Sequence, residues 1–178
     1  MVELDGDDRP WPPRDGDEAA SLLGFLDYQR ATFAWKCAGL SDDQLRIALP
    51  PSAMTLGGML KHLASVEDGW FIEVVQGQPL PEPWASVDDA TPDWEWTSAA
   101  EETGDDLRAL WAGRVDRARA AVESQFVTHG PEALGATHPA WLGPVSLRWV
   151  ILHMIEEYAR HNGHADLIRE SIDGQTGE

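Results

Sequence analysis

Apolar residues recur at helical spacing in four long stretches of the chain. Leu22, Leu26, Gln29, Phe33, Cys37 and Leu40 form one stripe, which predicts a helix over about 17–38 with Gly39 as its stop. Ser41-Asp42-Asp43-Gln44 is a capping-box pattern and predicts a short helical turn before Pro50 and Pro51 break the chain. A second stripe, Leu56, Met59, Leu60, Leu63, Val66, Trp70 and Val74, predicts a helix from Thr55 to about Gln76, ended by Gly77. Residues 78–97 read as a long connection with four prolines and Trp84, Trp94 and Trp96. Loops of that length inside a compact domain are often functional. The third helix is expected from Ser98, with Glu101 completing a capping box, to about Thr128. Its stripe is weaker: Leu107, Leu110, Trp111, Arg114, Val115, Ala118 and Val122. After an irregular stretch over about 129–144, Leu147, Val150, Ile151, Met154, Tyr158, Ala165 and Ile172 predict a fourth helix from near Ser146 to near Gly174. No alternation is long enough to build a sheet, and there is no internal repeat. The fold class is therefore all-α, a four-helix bundle spanning 16–174. Residues 1–15, acidic and proline-rich, read as a flexible arm that Trp11 could tack onto the body.

Length and charge narrow the picture. A chain of 178 residues with 43% hydrophobic content suits one domain with one core. Its 13 basic and 31 acidic residues give a net charge of -18. So acidic a surface repels phosphate backbones and anionic headgroups, so neither nucleic acid nor membrane is expected as a partner. A single cysteine, Cys37, excludes an internal disulfide and fits a reducing compartment. It falls on the first stripe, as a packed core thiol would. With no basic-then-apolar leader and no membrane-length apolar run, the expected location is the cytoplasm.

Candidate chemistry concentrates in the segment 153–164. His153, Glu157, His161 and His164 follow at spacings of four, four and three, on one side of a helix. At about 100° per residue, Glu157 and His161 fall on the shoulder of the apolar stripe, and His153 and His164 lie further round. His153 and His161 are separated by roughly 12 Å along the axis, too far to share an ion easily, whereas Glu157 and His161 can. On the second helix His62 flanks the core face near Met59 and Val66. One helix supplying Glu157 and His161, facing another supplying His62, gives three ligands and an open position, the arrangement of a catalytic metal site. The spacing also suits a plain i,i+4 pair with no metal. Glu67 interrupts an apolar face but diverges from His62 by about 140°. A buried carboxylate paired with a Trp N–H or a basic group is the simpler account of it. His129 and His138 belong in or beside a loop, and His138 leads into the fourth helix.

The residues Leu26-Asp27-Tyr28-Gln29-Arg30, His62-Leu63-Ala64-Ser65-Val66-Glu67 with Trp70-Phe71, and Glu156 through His164 together resemble the DinB-like metal-binding four-helix proteins. The branch most similar contains the N-terminal domain of mycothiol-dependent maleylpyruvate isomerase. The resemblance implies an up-down-down-up bundle whose crossing connection is 78–97. It implies His62, Glu157 and His161 as metal ligands; many members have His where Glu157 stands, and the isomerase branch has Glu. His164 follows the Asn-Gly pair where others often have Gln, and so would orient rather than ligate. Nitrogen and oxygen donors suit Zn²⁺ or Ni²⁺. The relatives imply a low-molecular-weight thiol such as mycothiol or bacillithiol attacking a small electrophile. The function expected is a metal-dependent thiol S-transferase or isomerase-like enzyme, with His164 and Glu67 as orienting or acid/base candidates. Two alternatives use the same ligands: a hydrolase with metal-bound water, and a non-catalytic metal-binding stress protein with a fourth ligand such as His138 or His153. The tryptophans of 78–97 would line either a pocket or a homodimer interface.

Overall fold

The computed structural model describes residues 3–87, 91 and 93–177. Every regular element among them is helical. Helix α1 (Glu18–Cys37) starts where the Asp17 side chain accepts the Ala20 N–H at 2.8 Å, and Gly39 follows its end with φ +71°. The one-turn α2 (Asp42–Leu45) carries the Ser41–Gln44 capping box with both bonds formed. Helix α3 (Leu56–Glu67) is capped by Thr55, whose hydroxyl accepts the Gly58 N–H at 3.0 Å. Helix α5 (Gly104–His129) is capped by Thr103, and α6 (Leu147–Asp173) by Ser146, with Gly174 in the left-handed conformation at its end. Between α3 and α5 lie a 3-10 turn at Trp84–Ser86, the short α4 (Trp94–Ser98) and a second 3-10 turn at Ala99–Glu101.

Three expectations need correction. The second helix does not stay α-helical to Gln76: after Glu67 it continues as a π-helix over Asp68–Val75. The connection is not wholly irregular, since it contains α4. The third helix begins at Gly104 rather than at Ser98, because Thr103 and Asp106 form a better start. The Thr103 hydroxyl accepts the Asp106 N–H at 3.1 Å and donates to its carboxylate at 2.6 Å. The Ser98 hydroxyl instead donates back to the Trp94 carbonyl at 2.6 Å.

The principal packings are α1 on α6 and α3 on α5. Leu26, Phe33 and Cys37 of α1, Leu60 and Leu63 of α3, Leu107 and Val115 of α5, and Val150, Met154 and Tyr158 of α6 share one core. Burial pushes the Cys37 thiol up to about 12 against the pull of Arg108 and Arg169, so it is a packing group, as expected. Each long helix also gives one polar side chain to a buried chain of bonds. Arg30 of α1 holds Glu67 of α3 in two bonds of 2.8 and 2.6 Å; Tyr158 of α6 donates to Glu67 at 2.7 Å; and Trp111 of α5 donates to Tyr158 at 2.9 Å.

The long connection is fixed by the buried Asp68, which accepts the Trp84 indole N–H at 2.8 Å and lies 3.0 Å from Arg114 Nε. The N-terminal segment lies on α1. Trp11 stacks on Tyr28 at 5.2 Å, and Arg9, buried, sits over Tyr28 and Trp35 and donates to Thr32 at 3.0 Å. No helix among the described residues is long and apolar enough to cross a membrane.

Candidate metal centre

Helix α3 brings His62 and helix α6 brings Glu157 and His161 to a common point. One ligand atom from each lies within 4.8 Å of the other two. Glu157 Oε1 is 3.2 Å from His62 Nε2 and 3.3 Å from His161 Nε2. In a tetrahedral site with bonds of about 2.1 Å, ligand atoms stand about 3.4 Å apart, so these two edges already have metal-site dimensions. The donor set is two imidazoles and one carboxylate, which fits a late first-row divalent ion. The geometry follows from the sequence locally. Glu157 and His161 are one turn apart on a helix, and His62 projects from the flank of α3 beside Met59, which is fully buried.

The connection contributes two further groups. His62 Nδ1–H donates to Glu95 Oε2 at 2.8 Å, and Trp96 stacks on the His62 ring at 5.1 Å and 24°. Trp96 fits there because residue 58 is glycine: a Cβ on Gly58 would lie 2.5 Å from Trp96 Cε3. His161 is only 6% exposed, and its Nδ1 is buried with no hydrogen-bond partner among the described residues.

Charge coupling at the cluster is strong. Burial pulls the His62 pKa down, but the hydrogen bonds to Glu157 and Glu95 and their charges outweigh it and raise it to about 9. Hydrogen bonding to His161 and then to His62, against partial burial, holds the Glu157 carboxyl well below the usual carboxylate range. Without an ion the site is thus an imidazolium held between two carboxylates.

Over residues 21–174 the chain matches the family described as mycothiol-S-transferase. The chain belongs to the mycothiol-S-transferase family. That places it in the DinB-like superfamily that the three quoted segments resemble. No curated protein matches it.

The other histidines take different places in this mycothiol-S-transferase family member. His164 packs edge-on against His161 at 5.6 Å, and its Nδ1 is buried without a partner among the described residues. His153 is one turn before Glu157 but stacks on Trp149 at 5.2 Å and meets Trp70 at 4.6 Å, outside the three-residue cluster. His138 is exposed and lines a separate cavity with Glu73 and Gln78. His129 is exposed at the end of α5. Glu67 is fully buried, with Arg30 and Tyr158 on its oxygens. The basic partner expected for it is Arg30, and the Trp N–H goes to Tyr158 instead.

A cavity of about 380 Å³ opens beside His62, walled by Trp84, Trp94 and Trp96 with Asp93 and Glu95. The residues that sequence reasoning missed are therefore Glu95, as partner of His62, and Gly58, as the seat of Trp96. No periodicity signals either one. The contact of His62 with Glu95 spans 33 positions, across a proline-rich connection.

Proposed function

We propose that the protein is a metal-dependent thiol S-transferase, its four long helices arranged as the up-down-down-up bundle of the DinB-like proteins over 16–174. The observation that carries this is the three-residue cluster of His62, Glu157 and His161 at the mouth of a cavity, in a chain of the mycothiol-S-transferase family. The three side chains are the ligands of one Zn²⁺ or Ni²⁺ ion. Such an ion lowers the pKa of a thiol at its open position and makes a nucleophile available at neutral pH. Glu95 fixes the His62 ring so that Nε2 faces Glu157 and His161. His164, against His161, orients that ring in turn. Glu67 has both oxygens engaged in the core and supports α3 rather than exchanging protons with substrate. The tryptophan-lined cavity receives the electrophile. In the reaction, the sulfur of a low-molecular-weight thiol such as mycothiol bonds to an electrophilic carbon. The leaving group departs with its electron pair, and the thiol proton passes to water.

The test is spectroscopic. Cobalt-substituted protein, at about one ion per chain, is expected to develop a sulfur-to-metal charge-transfer band with a small thiol and none with its S-methyl analogue. His62→Ala and His161→Ala should lose the ion while keeping helical circular dichroism. Full occupancy in both variants would overturn the ligand assignment. An ion bound without any thiol response would point to hydrolysis by bound water.

A further inference from the structure

The cavity beside His62 has a one-sided charge. Asp93 and Glu95 line it, and no lysine or arginine stands among its described lining residues. Two cations packed around these tryptophans are turned to other partners. Lys61, buried, pairs with Glu102 and lies 4.0 Å over the Trp94 ring; Arg114 pairs with Asp68 at 3.0 Å. Asp93 is exposed, in the left-handed conformation at φ 62°, and its side chain makes no bond to the start of α4. A doubly charged ion held by two neutral imidazoles is balanced by Glu157 and Glu95, and Asp93 leaves the site with an excess of one negative charge. A thiol bound as thiolate adds another. A carboxylate on the incoming electrophile would then meet net like charge, with no lysine or arginine among the described lining residues to answer it. The remaining wall is aromatic: Trp84 and Trp94 meet edge to face at 6.1 Å and 88°, with Trp96 beside them. Indole walls favour flat apolar bodies and tolerate cations.

We propose that this cavity admits uncharged or cationic electrophiles with a flat apolar body and rejects carboxylate-bearing ones, with Asp93 and the three tryptophans as its specificity determinants. The inference rests on the transferase reading, and two arms of one experiment separate them. In the first, chlorodinitrobenzene, its carboxylate analogue and its trimethylammonium analogue are turned over by the metal-loaded protein with one thiol. Each rate is divided by the uncatalysed rate with that thiol. The carboxylate should fall below the neutral compound by about tenfold or more in kcat/KM, as one like-charge contact near a protein surface dictates. Asp93→Asn should narrow the gap, and Asp93→Lys should narrow it further or invert it. In the second arm, metal-free protein is titrated calorimetrically with dinitrobenzene and dinitrobenzoate, which cannot react. Weaker binding of the anion, relieved by Asp93→Lys, is the expected result. Equal handling of neutral and anionic compounds, or no response to either Asp93 variant, would overturn the proposal. If no electrophile is turned over but the binding preference holds, the transferase reading fails and the charge selection of the cavity stands.

Discussion

Glu95 sets the ring of His62 from outside the helices that carry the cluster. A ligating imidazole whose other nitrogen donates to a carboxylate is fixed in tautomer and orientation, and loss of such a partner costs about 10–100-fold in metal affinity. Glu95→Gln is therefore expected to weaken metal binding by a factor in that range in a chelator competition, with helical content unchanged. Unaltered affinity would remove Glu95 from the site. The pH dependence follows from His62. Its folded pKa, raised to about 9, lies above the unfolded value of about 6.5. Its contribution to the stability of the metal-free protein is thus complete below about 6.5 and is lost as pH rises through about 9. Glu157 behaves in the opposite sense: its contribution is present above its unfolded value and is lost only in strong acid. On the proposed ligand set, a metal would displace the His62 proton. Affinity should therefore rise about tenfold per pH unit up to about 9 and then level off, with one proton released per ion. Titration calorimetry in buffers of different ionisation enthalpy measures both. A flat affinity over that range would mean that His62 is not protonated in the metal-free site.

At the scale of elements, glycines mark where one helix yields to another and where it does not. Gly58 lies in the first turn of α3, under Trp96. The indole ring cannot deform around an added methyl, so Gly58→Ala must displace α4 and with it both Trp96 and Glu95. The expected outcome is weaker metal binding with α3 intact. Gly113, exposed within α5, has open space around its α-carbon. Gly113→Ala should stabilise the protein by about 0.5–1 kcal/mol, the cost of glycine inside a helix, and leave metal affinity unchanged. Denaturant melts and metal titrations of the two variants distinguish them; a Gly58→Ala protein with wild-type affinity would show that the seat of Trp96 does not govern the site. The π-helical stretch Asp68–Val75 belongs to this scale too. It follows directly on Glu67, and its first residue, Asp68, anchors Trp84 and Arg114, so the change of helix type coincides with the docking of the connection.

Across the whole molecule, the chain from Arg30 through Glu67 and Tyr158 to Trp111 ties all four long helices at one buried point. Burial opposes the charge on Arg30, and the adjacent Glu67 outweighs it and holds the guanidinium firmly protonated. Burial also raises the Tyr158 pKa, so the phenol stays neutral and donates. Removing Glu67 leaves the buried Arg30 with only the partly exposed Asp27, at 3.1 Å, as a partner. Glu67→Leu should cost about 3–5 kcal/mol in a denaturant melt, while the double replacement Arg30→Met with Glu67→Leu should recover much of it. A small loss in the single variant would mean that water reaches Arg30 and the network is not closed.

What the sequence determined by itself is what short-range geometry controls. Four long helices follow from apolar residues three and four apart. Asp17, Ser41, Thr55 and Ser146 mark helix starts because a cap bond spans only three residues. Glu157 and His161 are together because one helical turn brings them together, and His62 was offered by its place on the flank of the second apolar stripe, a choice that resemblance to the DinB-like proteins also implies. Thr103 took the helix start that Ser98 was expected to hold, although both stand before plausible first turns, because packing of α4 drew Ser98 into the preceding turn. The tertiary structure alone decided the π-helical register after Glu67, the pairing of Glu67 with Arg30, and the arrival of Glu95 and Trp96 at His62. The last two join residues far apart in the chain, and no local periodicity encodes which partner a buried carboxylate or a half-buried ring will meet.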